Sequence, residues 1–344
     1  MGLVDNEEWE YRIYDTPDAN GNLYISEYTR EISCEEYKNN KQITRVIIPE
    51  GVKEINDGAF WGCTNIVSIS LPQSLTKIHE CAFRRCQSLK KIVIPPNVTL
   101  IGNNAFRECS SLATVEMNCR ITKISDKCFY KCDQLSSITV NSMIQRIGQW
   151  AFFGCRSLSS FKCPDSCVEI ECNAFRACSS LELFVFSQSL EEIGDESFFG
   201  CTILDSIFLP KTLRKIGSKA FVGCYLLTQV TIPANVKKLG SNIFSGCRCL
   251  RHVEFAQGAF AVGPYMFSSC PELEEVILPG SISIIAMCAF KNCKQLYSIN
   301  IPETVKYIGS EAFLGCKQLG NKVPLSQDNE EAYSIYLNWL FGDD

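Results

Sequence analysis

Cysteine is the residue whose number and spacing first suggest chemistry in this chain of 344 residues, which holds 21 cysteines and only two histidines. Cys163, Cys167 and Cys172 lie close together in the sequence, and thiolate clusters are the usual ligands of structural zinc. Such sites also need paired Cys-x-x-Cys spacings and a fourth ligand, which this cluster does not offer. We therefore expect these residues to bind no metal, and we expect no cofactor elsewhere.

The two histidines offer no catalytic arrangement. His79 stands at a predicted turn and His252 on a predicted strand, and neither belongs to a Ser-His-Asp or Cys-His set. The motifs H-E-x-x-H, G-x-x-x-x-G-K-[ST] and G-x-G-x-x-G are absent as well. His252 could form a small polar cluster with Glu254 and Glu275, or it could be an ordinary surface residue. The sequence thus predicts a protein that is not an enzyme.

The elements that hold these residues come from a repeat of 23 residues. Starting at Ile48, twelve copies follow one another up to residue 323 without insertion or deletion. Position 13 is Phe and position 16 is Cys in every copy, whereas positions 1, 5, 8, 19 and 22 are nearly always aliphatic. Twelve of the cysteines are therefore one column of the repeat, and Cys163 and Cys167 take the aliphatic positions 1 and 5.

Each recurring residue type predicts a structural role. The aliphatic residues at positions 22 and 1 alternate as in a short strand with one buried face, and Pro at position 2 ends that strand. Gly at position 9 indicates a turn with positive φ. The Phe column predicts a stacked aromatic spine. The Cys column predicts small buried side chains whose weak S–H donors bind buried carbonyls.

This pattern, nearly complete at 301–319 (IPETVKYIGSEAFLGCKQL) and at 209–230, resembles the BspA-type, or Treponema-type, leucine-rich repeat. The resemblance covers residues 48–323. It implies an α/β repeat solenoid, a right-handed superhelix with a parallel β-sheet on its concave face and short helical or 3₁₀ returns. Members of this family are often bacterial or protist surface proteins that bind other proteins. The resemblance therefore implies a protein-binding scaffold, with an adhesin as one form of it.

Both ends of the chain depart from the repeat. Residues 1–47 are predicted to form an N-terminal cap, a β-hairpin at 7–29 followed by half a repeat at 41–47. Residues 324–344 are predicted to form a C-terminal helical cap, because their apolar residues recur on one helical face. That helix either covers the last repeat or binds a partner. The acidic ends and mildly basic middle oppose end-to-end stacking, so we expect a monomer.

The composition of the chain bears on which classes of partner it can bind and on where in the cell it is located. The net charge of −5 and the pI of about 5.4 give no reason to expect nucleic acid as a partner. The chain has no apolar run of the ~18–20 residues that span a bilayer, so we expect no membrane insertion. The first ten residues lack the features of a signal peptide, and many free cysteines suit a reducing compartment. This favours the cytoplasm, or the cell surface or secretion if a signal was removed.

The predicted partner-binding site lies on the concave face, where positions 21 and 23 point outward. Leu183, Val185 and Phe208 are adjacent apolar residues at these positions, and exposed apolar patches tend to mark interfaces. Four polar residues continue the predicted site: Gln229, Thr231, His252 and Glu254. The competing interpretation is that Leu183, Val185 and Phe208 occur there only because such residues favour and pack in β-sheets. A carbohydrate or surface polymer is the alternative ligand; it would need aromatic platforms, and only Phe208 qualifies.

Position 14 provides a second candidate surface on the outer return. It is rich in arginine and aromatic residues, which are common in interfaces. These are Trp61, Arg84, Arg107, Tyr130, Phe153, Arg176 and Phe199. They either face a partner or pack against one another along the solenoid, and we favour the packing interpretation.

Overall fold

The structure, a computed structural model, describes residues 15–320 and, in the C-terminal segment, Ser334. Most coils of 23 residues contribute two short strands. The strand at positions 21 to 23, which reaches position 1 in some coils, belongs to what we call the front sheet. Its strands are β1 (Asn22–Tyr24), β3 (Arg45–Ile47), β5 (Ser68–Ser70), β7 (Lys91–Ile94), β9 (Thr114–Met117), β11 (Ser137–Thr139), β13 (Ser160–Lys162), β15 (Leu183–Val185), β18 (Gln229–Ile232), β20 (His252–Phe255), β22 (Glu275–Ile277) and β24 (Ser298–Ile299).

The strand at positions 7 and 8 of each coil belongs to what we call the flank sheet. Its strands are β2 (Glu31–Ile32), β4 (Glu54–Ile55), β6 (Lys77–Ile78), β8 (Leu100–Ile101), β10 (Lys123–Ile124), β12 (Arg146–Ile147), β14 (Glu169–Ile170), β16 (Glu192–Ile193), β17 (Lys215–Ile216), β19 (Lys238–Leu239), β21 (Ala261–Val262), β23 (Ile284–Ile285) and β25 (Tyr307–Ile308). The position 8 side chains of this sheet, mostly isoleucine, point into the core.

Every strand pair is parallel and joins equivalent residues one coil apart, as in Ile147 opposite Ile170. The front sheet is interrupted after β5, after β11 and around residues 206–208, and the flank sheet after β8 and after β19. The predicted parallel-strand solenoid is thus confirmed. Because each coil touches only the coils before and after it, the core extends in one dimension.

The phenylalanine column forms the centre of the core. Successive rings are stacked with centroids 5.0 to 5.6 Å apart and planes within 14° of parallel, from Phe60 to Phe313. The rings from Phe60 to Phe290 are fully buried, whereas Phe313 in the last repeat is only partly buried. The predicted aromatic spine is confirmed, and burial of rings of this size is a large hydrophobic contribution to stability.

The cysteine column lies beside the spine and links consecutive coils. Each of the twelve thiols donates a hydrogen bond to the carbonyl of position 13 one coil earlier, with S···O distances from 2.9 Å at Cys63 to 3.5 Å at Cys224. Burial raises the pKa of the Cys63 thiol to about 11 and that of Cys178 to about 12. At neutral pH the Cys63 and Cys178 thiols therefore remain protonated donors. The hydrogen bonds of all twelve thiols confirm the predicted role of the column.

The returns between the two sheets are not helical, which corrects the prediction of short helical or 3₁₀ segments. Positions 11 and 15 have positive φ in every coil, even where they hold Lys127 (φ 55°), Trp150 (φ 59°) or Glu196 (φ 54°). Left-handed residues at this spacing break a right-handed helix. Alternate amides donate to the next coil instead, as in Phe60 N to Ala82 O at 2.8 Å. Bonding between coils thus replaces bonding within a helix.

The glycines at position 9 also differ from expectation, because none of them has positive φ. A Cβ atom on Gly217 would lie 2.4 Å from the backbone nitrogen of Asp195, and one on Gly240 would lie 2.2 Å from that of Ser218. The requirement at this position is close approach of the preceding coil's backbone. The sequence predicts positive φ at position 9, but the structure has it at positions 11 and 15.

The coil extends further toward the N-terminus than the half repeat predicted at 41–47. Residues 25–47 form a whole degenerate coil, in which Ile32 pairs with Ile55 and the Tyr37 ring stacks on Phe60 at 5.2 Å. Of the predicted N-terminal hairpin, residues 7–14 lie outside the described residues. The second arm, β1, pairs in parallel with β3. The predicted C-terminal helix at 324–344 lies outside the described residues apart from Ser334.

The stacked spine predicts unequal costs of truncation along the solenoid. Phe175→Ala should lower the free energy of unfolding by about 3–5 kcal/mol, because it leaves a ring-sized cavity among fully buried neighbours. Phe313→Ala should cost clearly less, since that ring is partly exposed in the last repeat. Urea unfolding followed by circular dichroism measures both; equal losses would contradict the stacked core.

The buried thiols predict destabilisation at alkaline pH. In the unfolded chain a thiol ionises near its ordinary pKa of 9.0, whereas in the folded chain Cys178 holds its proton to about pH 12. Between these values the unfolded state binds fewer protons, so the free energy of unfolding falls as pH rises. We expect the urea midpoint to decrease between pH 8 and pH 10. The decrease should be smaller in a Cys178→Ala/Cys224→Ala variant, and an identical pH dependence would refute this assignment.

Candidate functional site

The outer face of β15 presents two of the predicted partner-binding residues. Leu183 and Val185 are 51% and 40% exposed, while Phe184 between them is 3% exposed. The alternation follows from strand geometry, because successive side chains point to opposite faces. Inside, the Phe184 ring packs edge-on against Phe175 and Phe198, with centroid distances of 5.0 and 4.7 Å. The strand is thus anchored from below while two aliphatic side chains face solvent.

Phe208 lies in the next coil, at a gap in the front sheet. Residues 206–208 do not form a regular strand, and a single parallel bridge joins Ser206 to Leu183. Ile207 is buried, but the Phe208 side chain is 77% exposed. We call Leu183, Val185 and Phe208 the apolar front patch. A phenyl ring in solvent at an interruption of the sheet contributes little to the packing of the sheet itself.

The four polar residues of the predicted site continue this face over the following coils. Gln229 lies opposite His252, and Thr231 opposite Glu254, in the pairing of β18 with β20. His252 Nδ1 lies 3.1 Å from Glu275 Oε2, whereas Glu254 has no ion-pair partner in the part of the chain that the structure describes. The structure therefore places all seven predicted residues on the outer side of the front sheet.

Two further exposed apolar side chains belong to the same coils but were not predicted. Ile203 and Leu226 both occupy position 18 and are substantially exposed. Position 18 is polar in most other copies, for example Ser157, Ser180 and Gln295. A comparison of this position across the copies would have singled out these two residues from the sequence. They extend the apolar surface of the coils that contain Phe208 and Gln229.

The arginine and aromatic residues at position 14 pack against one another along the solenoid. The Arg84 guanidinium lies 4.7 Å from the Trp61 ring, and the Arg107 guanidinium lies 4.7 Å from the Tyr130 ring. Tyr130 in turn stacks on Phe153 at 4.8 Å. These side chains are half-buried. The favoured interpretation of this surface as internal packing agrees with these contacts.

Cys163, Cys167 and His79 each have a structural environment. Cys163 and Cys167 are buried in the core, and burial raises the pKa of the Cys163 thiol. Within residues 15–320 there is no group of three His, Cys, Asp or Glu side chains placed to hold a metal ion. His79 Nε2 lies 2.9 Å from Glu54 Oε2, and Lys77 with His79 holds the pKa of the Glu54 carboxyl below its usual value. These contacts join neighbouring coils on the flank sheet.

The sequence profile of the BspA-type leucine-rich repeat region matches residues 30–157, 122–251 and 215–334, in six copies. The chain belongs to the BspA-type leucine-rich-repeat family. This family consists of repeat scaffolds, in keeping with a fold in which every fixed position packs or turns. Among curated protein sequences, none matches the chain.

Solved structures show the same fold. A leucine-rich-repeat protein from Bacteroides ovatus is 26% identical, with a TM-score of 0.66 over 87% of this chain and 77% of its own. One from Eubacterium ventriosum is 23% identical, with a TM-score of 0.52 over 90% of this chain and 94% of its own. This similarity concerns the fold. Along the described residues of this chain, no helix has the length and apolar character needed to cross a bilayer.

The difference in exposure predicts that truncating Phe208 and truncating Phe184 change the free energy of unfolding by very different amounts. Phe208→Ala should change the free energy of unfolding by less than about 0.5 kcal/mol, because an exposed side chain loses few contacts. Phe184→Ala should cost about 3–5 kcal/mol, because it removes a ring from the core. Urea unfolding of the two variants checks this difference. A large loss in Phe208→Ala would mean that the ring packs into the protein.

Proposed function

We propose that this protein is a non-enzymatic scaffold that binds a partner protein on its front sheet, centred on the apolar front patch. The observation that carries the proposal is the 77% exposure of Phe208 beside the exposed Leu183 and Val185. Folding alone gives no reason for these side chains to be in water, where each costs free energy that burial against a partner would recover. Solenoids bind partners on surfaces of this extended kind.

The apolar front patch and the polar residues around it resemble the two parts of a typical protein interface. An apolar centre with large side chains contributes most of the binding energy, and a polar rim gives specificity. Gln229 and Thr231 offer hydrogen-bonding groups next to the patch, and Glu254 offers an unpaired carboxylate one coil further on. A partner with an apolar residue flanked by a basic group would complement this arrangement. The chain would act as a monomer and need no cofactor.

The finer geometry and the biological setting belong to the same proposal. We infer that each coil turns in the right-handed sense, since parallel strands joined by crossovers overwhelmingly take that hand. The right-handed superhelix of the stacked coils is part of the same proposal and comes from the family resemblance. The front sheet would then line the concave side, where a partner contacts several coils at once. An adhesin-like role on a cell surface is one form of this function, supported by the family resemblance. Carbohydrate binding on the front sheet is the alternative, and no contact among the described residues of that face favours it over a protein ligand.

Replacing the apolar front patch by charges is expected to abolish partner binding. The test compares proteins captured by the wild type and by Leu183→Asp/Phe208→Asp, from purified matrix proteins and from cell lysate, with quantification by mass spectrometry. We expect partners of the wild type to be depleted at least about tenfold on the variant, because an unpaired buried charge costs several kcal/mol.

The matched control is Met143→Asp/Leu314→Asp, which places the same charges on exposed apolar side chains away from the patch. This control should retain the partners. Retention by both variants would remove the apolar front patch as the binding site. Loss in both would indicate non-specific capture. A glycan array that compares the wild type with Leu183→Asp/Phe208→Asp tests the carbohydrate alternative, because a glycan bound only by the wild type would assign the front sheet to carbohydrate.

A further inference from the structure

A second surface feature lies on the flank of the solenoid, away from the apolar front patch. An open groove of about 490 Å³ crosses the coils that follow residue 186, next to the flank strands β16, β17 and β19. Its lining residues are Glu191, Lys211, Thr212, Arg214, Asn235 and Lys237. All six lining residues have charged or hydrogen-bonding side chains, and four of the six are charged.

Two successive coils concentrate positive charge around this groove. Together they place five basic side chains on the flank and no acidic one: Lys211, Arg214, Lys215, Lys237 and Lys238. Only the preceding coil supplies counter-ions, since Glu191 lies 3.9 Å from Arg214 and Glu192 lies 3.3 Å from Lys215. The other three lysines have no carboxylate within 4.0 Å in the described part of the chain, and all three are exposed.

The strand register makes this concentration unfavourable for the free protein. Lys215 lies directly opposite Lys238 in the pairing of β17 with β19. Like charges at facing positions of a sheet destabilise it. Lys123 also faces a like charge, Arg146, in the flank sheet, but both of those cations form ion pairs, Lys123 with Glu171 at 2.8 Å and Arg146 with Glu169 at 3.3 Å. Lys238 differs, because it has no carboxylate partner among the described residues. Unfavourable repulsion of this type is typical of a binding site, where a ligand of opposite charge compensates it.

We propose that the flank groove binds a linear sulfated polysaccharide through the three cations that line it, Lys211, Arg214 and Lys237. The neighbouring strand residues Lys215 and Lys238 add positive charge to the same flank, and we call all five side chains the flank basic cluster. Hydrogen-bonding side chains within the groove are already engaged, since Thr212 Oγ1 donates to Gln188 O at 2.9 Å and Asn235 Nδ2 donates to Lys211 O at 2.8 Å. Recognition therefore rests on charge. Closely spaced sulfate groups provide the dense fixed negative charge that this cluster neutralises.

The residue types in the groove disfavour two other kinds of polyanion, single-stranded nucleic acid and acidic peptides. Nucleic acid in single strands requires aromatic side chains on which bases stack, and no aromatic residue lines the groove. Carboxylate ligands are matched best by the two-pronged guanidinium group, and four of the five cations are lysines, which act as point charges. An acidic peptide is therefore the weaker candidate, and it becomes one outcome of the test.

The charges on either side of the flank basic cluster determine the direction in which the polysaccharide crosses the solenoid. Toward the N-terminus, Glu169, Glu191 and Glu192 repel a polyanion, and toward the C-terminus the equivalent positions hold the uncharged Phe260 and Ala261. The positive surface is thus only two coils wide, about 10 Å. The chain of the ligand crosses these coils and does not follow the axis of the solenoid. The net charge of −5 opposes capture of polyanions by the molecule as a whole, so binding depends on the cluster.

The test measures the affinity of the full chain for a heparin fragment of defined length over a series of salt concentrations. Removing three charges in Lys211→Gln/Lys237→Gln/Lys238→Gln should weaken binding at least about tenfold and reduce its salt dependence, because fewer counterions are released. The matched control Lys90→Gln/Lys294→Gln/Lys317→Gln removes the same net charge from exposed, unpaired lysines elsewhere, and should stay within about twofold of the wild type.

Three results would overturn the proposal. These are no binding of the heparin fragment by the wild type at low salt, equal losses in the two triple variants, or binding of poly-glutamate as tight as that of the heparin fragment. The last result would assign the groove to acidic protein segments. The front-patch variant Leu183→Asp/Phe208→Asp should bind heparin like the wild type, so failure of one proposal is distinguishable from failure of the other.

Discussion

The hydrogen bonds between successive coils are the constraint on which the rest of the structure depends. Each position 16 thiol bonds to the carbonyl one coil earlier, and alternate backbone amides of the return bond to the coil that follows. These buried polar groups would be costly if unpaired, so neither coil can tilt or slide relative to the other. The phenylalanine rings can stack at nearly constant spacing only because this bonding holds every coil in the same register.

This constraint separates residues that build the coil from residues that are available for function. The inward positions are occupied by bonding and packing, as Phe184 and Cys155 illustrate. Side chains at outward positions neither pack in the core nor bond between coils, so each of them contacts either solvent or a ligand. The exposed Phe208 and the facing Lys215 and Lys238 are unfavourable in the isolated molecule. For that reason they carry more information about binding than the many neutral polar residues around them.

The sequence predicts the coil length, the spine, the thiol bonds and the sidedness of Leu183 and Val185, because each follows from a strict period. It does not predict the left-handed residues, since Lys127, Trp150 and Glu196 have no intrinsic preference for positive φ. Their conformation is imposed by bonding to neighbouring coils. The degenerate first coil escaped prediction because Tyr37 and Asn40 replace the two invariant residues, although the ring still stacks. The gap at Phe208 likewise depends on pairing between coils.

The identical bonding faces of the interior coils bear on how such a protein changes length over evolution. A coil such as 163–185 presents the same acceptor and donor to its neighbours as the coils on either side. Deleting or duplicating one complete unit would bring matching faces together, whereas losing a single residue would misplace every bond that follows. Asn40 stands where a thiol would donate, and its side-chain oxygen instead accepts from Gln42 of its own coil. Unequal recombination can therefore add units more readily among the interior coils than next to the coil that contains Asn40.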